Sequence, residues 1–367
     1  MGTGNVAASS VRRALADVRL ICTSGAGSAA VPAAMQAARR AIGCDAAFFG
    51  WQNAQAITTH LYSDDASTLA SVHKIGAAQR YMNEFVGRPA AVLPADADLI
   101  RRGQRLDNTG WYGQLYVDSD FFNEIFRPLH LRHMLRSLAY ERRKPLGVAV
   151  FARTPGETGF GKEEEAVAAQ IGSCLTHALA APPPQVEDWA DTSELGMAVL
   201  RRDGRLEWLS DQARALLEMA SVPDVEPAGA AMSERLSLLA LRLNDSKGIP
   251  MMAVRGALGI FVFRAYRLDP VTPGGDGGVG VTISRRVPAA VRFSEALLRC
   301  PELSVRQKEV ALRLALGRSH EWIAADLGIG HSSVITHRRA LYNRLNVRSR
   351  EQLVKKVHGA LSGPDRI

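Results

Sequence analysis

The stretch Leu303–Val354, LSVRQKEVALRLALGRSHEWIAADLGIGHSSVITHRRALYNRLNVRSREQLV, decides the fold of the C-terminal part of the chain. Ser304 is followed three residues later by Gln307, which is the pattern of a capping box at the start of a helix. Gly317 can end that helix because glycine tolerates a positive φ. Ser319 then has the position and the hydroxyl expected of the N-cap of a second helix.

A third and a fourth helix are predicted after a tight turn at Gly328. The third runs from about Gly330 to Leu345, with apolar residues on one side and hydroxyl and basic residues on the others. Ser349 and Gln352 repeat the capping-box spacing and open the fourth helix. The stretch therefore predicts four short helices with a helix-turn-helix in the middle.

The formal charge of the chain is concentrated in the same stretch. The 367-residue chain has a net charge of +8, and the residues from Leu303 onward contribute 12 Lys/Arg against five Asp/Glu. The 302 residues before them are nearly balanced, with 33 basic and 32 acidic side chains. A small basic segment at the end of a nearly neutral body predicts double-stranded DNA as the partner.

Eight side chains of the third helix are the candidates for DNA contact. The positive N-terminal end of a helix favours phosphate, and arginines can reach phosphates or guanine edges in the major groove. The candidates are Ser332, Ser333, Ile335, Thr336, His337, Arg338, Arg339 and Arg344.

Residues 303–358 resemble the LuxR-type helix-turn-helix, the four-helix output domain of many bacterial transcription regulators. The residues that carry the resemblance are Leu303, Arg306, Glu309, Val310, Gly317, Ile323, Ala324, Leu327, Ile329, Val334, His337, Leu345, Val347 and Arg350. The resemblance implies that Thr336 and Arg339 reach base edges and that His337 lies near the DNA backbone. It also implies that the fourth helix is a place where such domains pair.

Three positions depart from the pattern of that family. Gly330 stands where a Ser cap is usual, Ser333 where Thr is usual, and Ile335 where Lys is frequent. Glycine is a fair N-cap, so the first change costs little. Ile335 removes a cation from the groove and can instead touch a thymine methyl. The target sequence of the family is therefore not transferable.

The first part of the chain, residues 1–181, predicts an α+β domain. A helix and a strand come early, and the segment ends in PLGVAVFARTPGETGFGKEEEAVAAQIGSCLTHAL, a buried strand, a polar turn and a long helix. This ending resembles the closing strand and last helix of GAF domains. Three prolines then predict a linker at 182–185 because proline cannot continue the helix.

Residues 186–290 predict a second α+β domain. Two strands joined by a hairpin turn at Arg202–Arg205 lead into a helix that Ser210 can cap. This order resembles the opening of a PAS domain. A linker at 291–302 and the DNA-binding domain at 303–360 complete the predicted organisation.

A candidate ligand pocket lies in the aromatic-rich stretch between residues 111 and 126, in a chain with only 6% aromatic residues. These side chains can wall a hydrophobic cavity, with Asp118 or Arg132 as a polar anchor and two aromatic residues of an earlier strand beside them. An aromatic core beneath a long loop is the alternative. The candidates are Phe48, Trp51, Trp111, Tyr112, Tyr116, Asp118 and Phe122.

Motifs for catalysis and for cofactors are missing from the sequence. It has no P-loop, no G-x-S-x-G elbow, no H-E-x-x-H and no acidic pattern of a phospho-receiver. His130 and His133 can share a helical face but have no third ligand nearby, so no metal and no cofactor is predicted. The four cysteines are widely separated and no apolar run is long enough to span a membrane, which predicts a cytoplasmic protein.

The predicted function is that of a bacterial transcription regulator that binds DNA as a homodimer under the control of its sensory region. RNA polymerase and an unidentified small-molecule effector are further expected partners. Three alternatives remain open: an acyl-homoserine-lactone receptor, a signalling enzyme fused to a DNA-binding domain, and a binding module that has lost its ligand and acts only through protein partners. The chain has a domain of about 100 residues that acyl-homoserine-lactone receptors lack, which argues against the first alternative. Signalling enzymes of this kind need clustered carboxylates to bind metal, and the lack of such a cluster argues against the second.

Overall fold

The computed structural model describes residues 3–74, 92–180, 189–222, 250–271 and 277–359. They form two five-stranded antiparallel sheets with flanking helices, followed by a region of helices only. The predicted α+β front and all-α end are confirmed at this level, while the GAF and PAS assignments stay predictions. The predicted linker at 182–185 lies outside the described residues.

The first sheet has the strand order β2-β1-β5-β4-β3. Its unit comprises α1 (Thr3–Cys22), α2 (Val31–Ile42), β1 (Ala46–Gln52), β2 (Thr58–Ser63), α3 (Ala66–Lys74), α4 (Asp96–Arg101), β3 (Leu106–Asn108), α5 (Gln114–Val117), a π-helical turn (Phe122–Phe126), β4 (His133–Glu141), β5 (Lys144–Arg153) and α6 (Lys162–Ala180). Helices α2 and α6 pack on one face of this sheet, and α1 packs on both helices. The other face carries Phe48, Tyr116 and Phe122 of the candidate pocket.

The second sheet has the strand order β7-β6-β10-β9-β8. Its unit comprises β6 (Trp189–Arg201), β7 (Leu206–Leu209), α7 (Asp211–Ser221), β8 (Met251–Gly256), β9 (Gly259–Leu268) and β10 (Gly278–Pro288). As predicted, the Ser210 side chain caps α7 by accepting from the Ala213 N–H at 3.1 Å. Gly196 of β6 lets α7 approach closely, since an added Cβ would lie 2.4 Å from the Ala213 Cα.

The two units share one continuous hydrophobic cluster. Helix α7 packs against β2 and α3 of the first unit as well as against its own sheet. The Leu61 N–H of β2 also donates to Glu218 Oε1 of α7 at 3.2 Å. The second unit is therefore anchored through α7 on the edge strand of the first sheet.

The predicted linker at 291–302 is largely a helix, α8 (Ala289–Leu298). Its Val291, Phe293 and Leu297 side chains are buried, so this connection is packed rather than extended. It contacts α1 on one side and the C-terminal helices on the other. The predicted linker therefore contains a helix whose apolar face packs against both parts of the chain.

The C-terminal region consists of α9 (Val305–Ala315), α10 (His320–Leu327), α11 (His331–Leu345) and α12 (Arg350–Gly359). Its core contains Val310, Ile323, Val334, Leu341, Leu345, Leu353 and Val357, together with residues of α8 and Leu20 of α1. The N-terminal helix thus contributes to the core of the last four helices. Within the described residues, no helix has the length and apolarity that crossing a membrane needs.

Candidate nucleic-acid interface

The predicted helix caps of the C-terminal region are present. Ser304 Oγ accepts from the Gln307 N–H at 3.3 Å, and Gln307 Oε1 accepts from the Ser304 N–H at 2.9 Å. Ser319 Oγ accepts from the Trp322 N–H at 3.2 Å and begins α10. These bonds satisfy N–H groups that a helix start leaves without partners.

The turn between α10 and α11 has the geometry that the glycines predicted. Gly328 ends α10 in the left-handed region with φ +62°, and Gly330 is the N-cap of α11 with an extended backbone. Gly317, which follows α9, has φ +74°. The Arg350 guanidinium lies beside it and donates to the Ala315 carbonyl at 2.9 Å, so the end of α9 is held by a residue of α12.

The second predicted capping box is only half present. Ser349 Oγ accepts from the Gln352 N–H at 3.2 Å, as expected. Gln352 Oε1, however, accepts from the Arg348 N–H at 2.8 Å rather than from that of Ser349. The helix begins where the sequence predicts, but the amide side chain reaches one residue further back.

One side of α11 is exposed and polar along its whole length. Ser332, Thr336, Arg339 and Asn343 are all exposed, at spacings of four, three and four residues. Such spacing places them in one row on the helix surface. The opposite side is buried in the domain core. A row of hydroxyl, guanidinium and amide groups on a fixed helix offers both donors and acceptors to a partner.

The remaining predicted contacts of the N-terminal half of α11 flank this row. Ser333, Ile335 and His337 are half-buried. Arg338 is also half-buried, and its Nη1 lies 3.2 Å from Nε2 of His320 in α10. Burial and the positive charge of Arg338 lower the pKa of His320. Arg338 therefore joins the two helices of the helix-turn-helix.

Arg344 is exposed, but its guanidinium is bonded to other residues of the same domain. Its Nη1 donates to the Glu302 carbonyl at 2.9 Å and to Gln307 Oε1 at 2.8 Å. The predicted role of Arg344 in contacting DNA thus competes with a structural one. Asn343, which the sequence interpretation missed, occupies the outward position instead, and its spacing from Arg339 was the available signal.

The aromatic residues of the predicted ligand pocket form one cluster on the outer face of the first sheet. Phe48, Tyr116 and Phe122 are buried there, and Tyr112 packs against the cluster edge. The rings of Tyr116 and Phe122 meet edge to face at 5.3 Å. This packing also agrees with the alternative of an aromatic core.

Three other predicted pocket residues lie outside this cluster. Trp51 is on the opposite face of the sheet from Phe48 and packs against Phe49 at 5.0 Å. It is three residues from Phe48, and strand side chains alternate between faces, so the two cannot share a cavity. Trp111 is 55% exposed and Asp118 is exposed, so neither lines an interior cavity.

A buried ion cluster on the same sheet face was not foreseen. Arg136 of β4 is 2% exposed, and its guanidinium contacts Asp96 at 2.8 Å and Asp107 at 2.6 Å. Gln52 donates to Asp96 at 2.6 Å, and the Tyr112 hydroxyl donates to Asp107 at 2.5 Å. Among the described residues, no group of three or more His, Cys, Asp or Glu side chains is arranged to hold a metal ion.

The C-terminal segment has a recognised family. Residues 301–357 match the luxR family of bacterial regulatory proteins. The match spans α9 to α12 and supports a DNA-binding transcription regulator. No curated protein matches the chain.

Two solved structures show a weak similarity. The sensor region of a sensor histidine kinase is 15% identical with a TM-score of 0.19, and the similarity covers 42% of this chain and 63% of that one. The phage VqmA–DPO complex is 14% identical with a TM-score of 0.20, and the similarity covers 46% of this chain and 82% of that one. The chain thus spans less than two thirds of the histidine kinase structure, and neither likeness bears on fold or function.

Proposed function

We propose that this protein regulates transcription by inserting α11, the recognition helix, into the major groove of a specific DNA site, and that its N-terminal region controls this binding. The observation that carries the proposal is the exposed row of four polar residues on α11. A partner that fits it must present donors and acceptors in a groove wide enough for a helix, which is the property of the major groove.

Some residues of the recognition helix are available to contact bases, and others hold the helix in place within the domain. Arg339 is exposed and has no ion pair with another described residue, so it is available for the two acceptors of a guanine edge. Thr336 and Asn343 lie on the same row and can bond neighbouring bases. Arg338 and Arg344 hold the helix against the rest of the domain.

We infer that two copies act together on DNA. One such helix covers a short stretch of bases, and dimers of helix-turn-helix proteins place two of them about one turn of DNA apart. An inverted or direct repeat is therefore the expected target. We further propose that the DNA-bound homodimer contacts RNA polymerase. The proposal assigns the chain binding rather than catalysis.

The N-terminal region has a direct physical route to the DNA-binding helices. Leu20 of α1 is 2% exposed and packs with the core of α9 to α12, and α8 joins the second sheet to the same core. A ligand that shifts α1 or α8 would change the energy of that contact. An effector would then control DNA binding by shifting the equilibrium between two arrangements of the N-terminal region and the DNA-binding helices.

The test is selection of preferred sites from random DNA, followed by affinity measurements on the site obtained. Arg339→Ala is expected to weaken specific binding by about 1–3 kcal/mol and to relax one base position. Arg101→Ala is the matched control, since it removes the same charge from a 75% exposed side chain of the first unit. If the two variants bind alike, or if no site is enriched, the groove assignment is wrong.

A further inference from the structure

A cavity of about 420 Å³ lies where the first unit, the second sheet and helix α8 meet. It is lined by residues of α1, α2, β6, β10 and α8. This volume is in the range of small-molecule sites, which is about 300–1,000 Å³. The cavity is separate from the aromatic cluster that the sequence predicts as the ligand pocket.

The cavity is lined by charged residues, of which four are arginines and three are carboxylates. Two ion pairs neutralise part of this charge. Arg285 Nε lies 2.8 Å from Glu194, and Arg292 Nη1 lies 2.6 Å from Glu295. Both pairs are at least three-quarters buried, so they form fixed polar walls.

Arg40 of α2 and Asp17 of α1 line the cavity without an ion pair to another described residue. Burial raises the pKa of the Asp17 carboxyl, and the nearby positive charges of Lys308, Arg40 and Arg13 oppose this only in part. A partly buried carboxylate normally has a hydrogen-bond partner, since desolvation costs energy. Arg299, directly after α8, is the fourth arginine of the lining.

We propose that this cavity binds a small organic anion that also carries a hydroxyl or amino group. Arginine suits the anionic part because its fork of N–H donors matches carboxylate and phosphate oxygens. Arg40 is the residue that meets it, and Asp17 accepts a hydrogen bond from the ligand's own donor. The positive charge of Arg40 favours an anion over a neutral ligand.

Such a ligand would touch the two helices that reach the DNA-binding region. Asp17 lies on α1 three residues before Leu20, and α1 and α8 both contact α9. In this respect the inference rests on the proposed function, because it makes the ligand the effector of DNA binding. Binding of the ligand itself does not depend on DNA.

The experiment is calorimetric titration of the full chain, without DNA, with L-malate, L-aspartate and glycerol 3-phosphate. Each carries an anionic group and a donor, whereas succinate is the matched probe without a donor. At least one of the three is expected to bind saturably and to raise the melting temperature. Succinate is expected to bind about tenfold more weakly than L-malate because Asp17 then receives no hydrogen bond.

Two variants test the named contacts. Arg40→Gln is expected to weaken binding by about tenfold or more, and Asp17→Asn is expected to reduce the difference between L-malate and succinate. Arg267→Gln, at an exposed position of β9, is the control and should bind as the unchanged chain does. Saturable binding by none of the three ligands, or unchanged affinity in Arg40→Gln, would overturn the proposal. Since DNA is absent, either outcome leaves the groove assignment of Arg339 untouched.

Discussion

Arg344 of the recognition helix and Gln307 of α9 are joined by a hydrogen bond of 2.8 Å from Nη1 to Oε1. The same amide oxygen accepts from the Ser304 N–H and so completes the cap of α9. One side chain of α9 therefore caps the start of its own helix and orients the helix that is proposed to read DNA. The Gln307 amide therefore contributes both to the stability of the domain and to the position of the exposed row on α11.

The role of Arg344 can be separated from that of Arg339 by substitution. Arg344→Ala is expected to reduce the free energy of unfolding by about 0.5–1.5 kcal/mol, since it removes two hydrogen bonds inside the domain. The bases preferred in a DNA selection should stay the same. Arg339→Ala should have the reverse profile, with unchanged melting and altered base preference. A changed base preference in Arg344→Ala, with the stability of the unchanged chain, would contradict the positioning role.

The contact of α1 with the C-terminal core predicts a large effect of Leu20→Ala. The side chain is 2% exposed and packs with residues of α8 and α9, so its truncation leaves a cavity. A cost of about 2–5 kcal/mol in unfolding free energy is expected. Leu115→Ala is the control, because that side chain is 68% exposed and its loss should change stability by less than about 0.5 kcal/mol. Equal melting of the two variants would show that α1 is not docked there in solution.

The buried cluster around Arg136 predicts that replacing the arginine alone destabilises the protein more than replacing the arginine together with its two acidic partners. Arg136→Met leaves Asp96 and Asp107 buried without their cation and should cost about 3–5 kcal/mol. Adding Asp96→Asn and Asp107→Asn to that variant should recover part of the loss, because the uncompensated charges are removed. Chemical denaturation of the three-residue variant beside the single one measures the recovery. No recovery would mean that packing, rather than charge, dominates at this site.

The burial of Asp17 predicts that this residue makes the protein less stable as the pH rises, whereas an ion-paired carboxylate makes a protein more stable. Burial raises its folded pKa above the ordinary value of 3.8. The folded state therefore binds the proton more tightly than the unfolded state, and this group lowers stability as pH rises through the interval above 3.8. Asp17→Asn should be more stable than the unchanged chain at pH 7 and equally stable near pH 3. Melting curves at the two pH values check this, and a less stable variant at pH 7 would contradict it.

The local structure of the C-terminal helices was largely predictable from single side chains. Ser304 and Ser319 cap helices by bonding N–H groups three residues away, so the sequence contains both partners of each bond. The exposed row on α11 is also a matter of spacing, and the same reasoning should have included Asn343. The face of Trp51 was equally readable, since strand alternation separates it from Phe48.

Contacts between distant segments could not be predicted in this way. Arg136 meets Asp107 and Asp96 across 29 and 40 residues of chain, and no pattern in the sequence pairs them. The sequence of the segment that contains α8 does not show which elements its apolar residues pack against. In the structure these elements are α1 and α12, which are far away in the chain.

The amino-acid sequence by itself determined the four C-terminal helices, their caps, the basic surface and the α+β character of the front, because these depend on interactions within a few residues or on total charge. Only the tertiary structure decided that Leu20 joins the core of the last four helices, that Arg344 is held by Gln307, and that a charged cavity lies at the junction of the parts. Each of these requires segments far apart in the chain to be brought together. Which distant segments meet depends on how whole apolar faces pack against one another, and this cannot be deduced from residues that are neighbours in the chain.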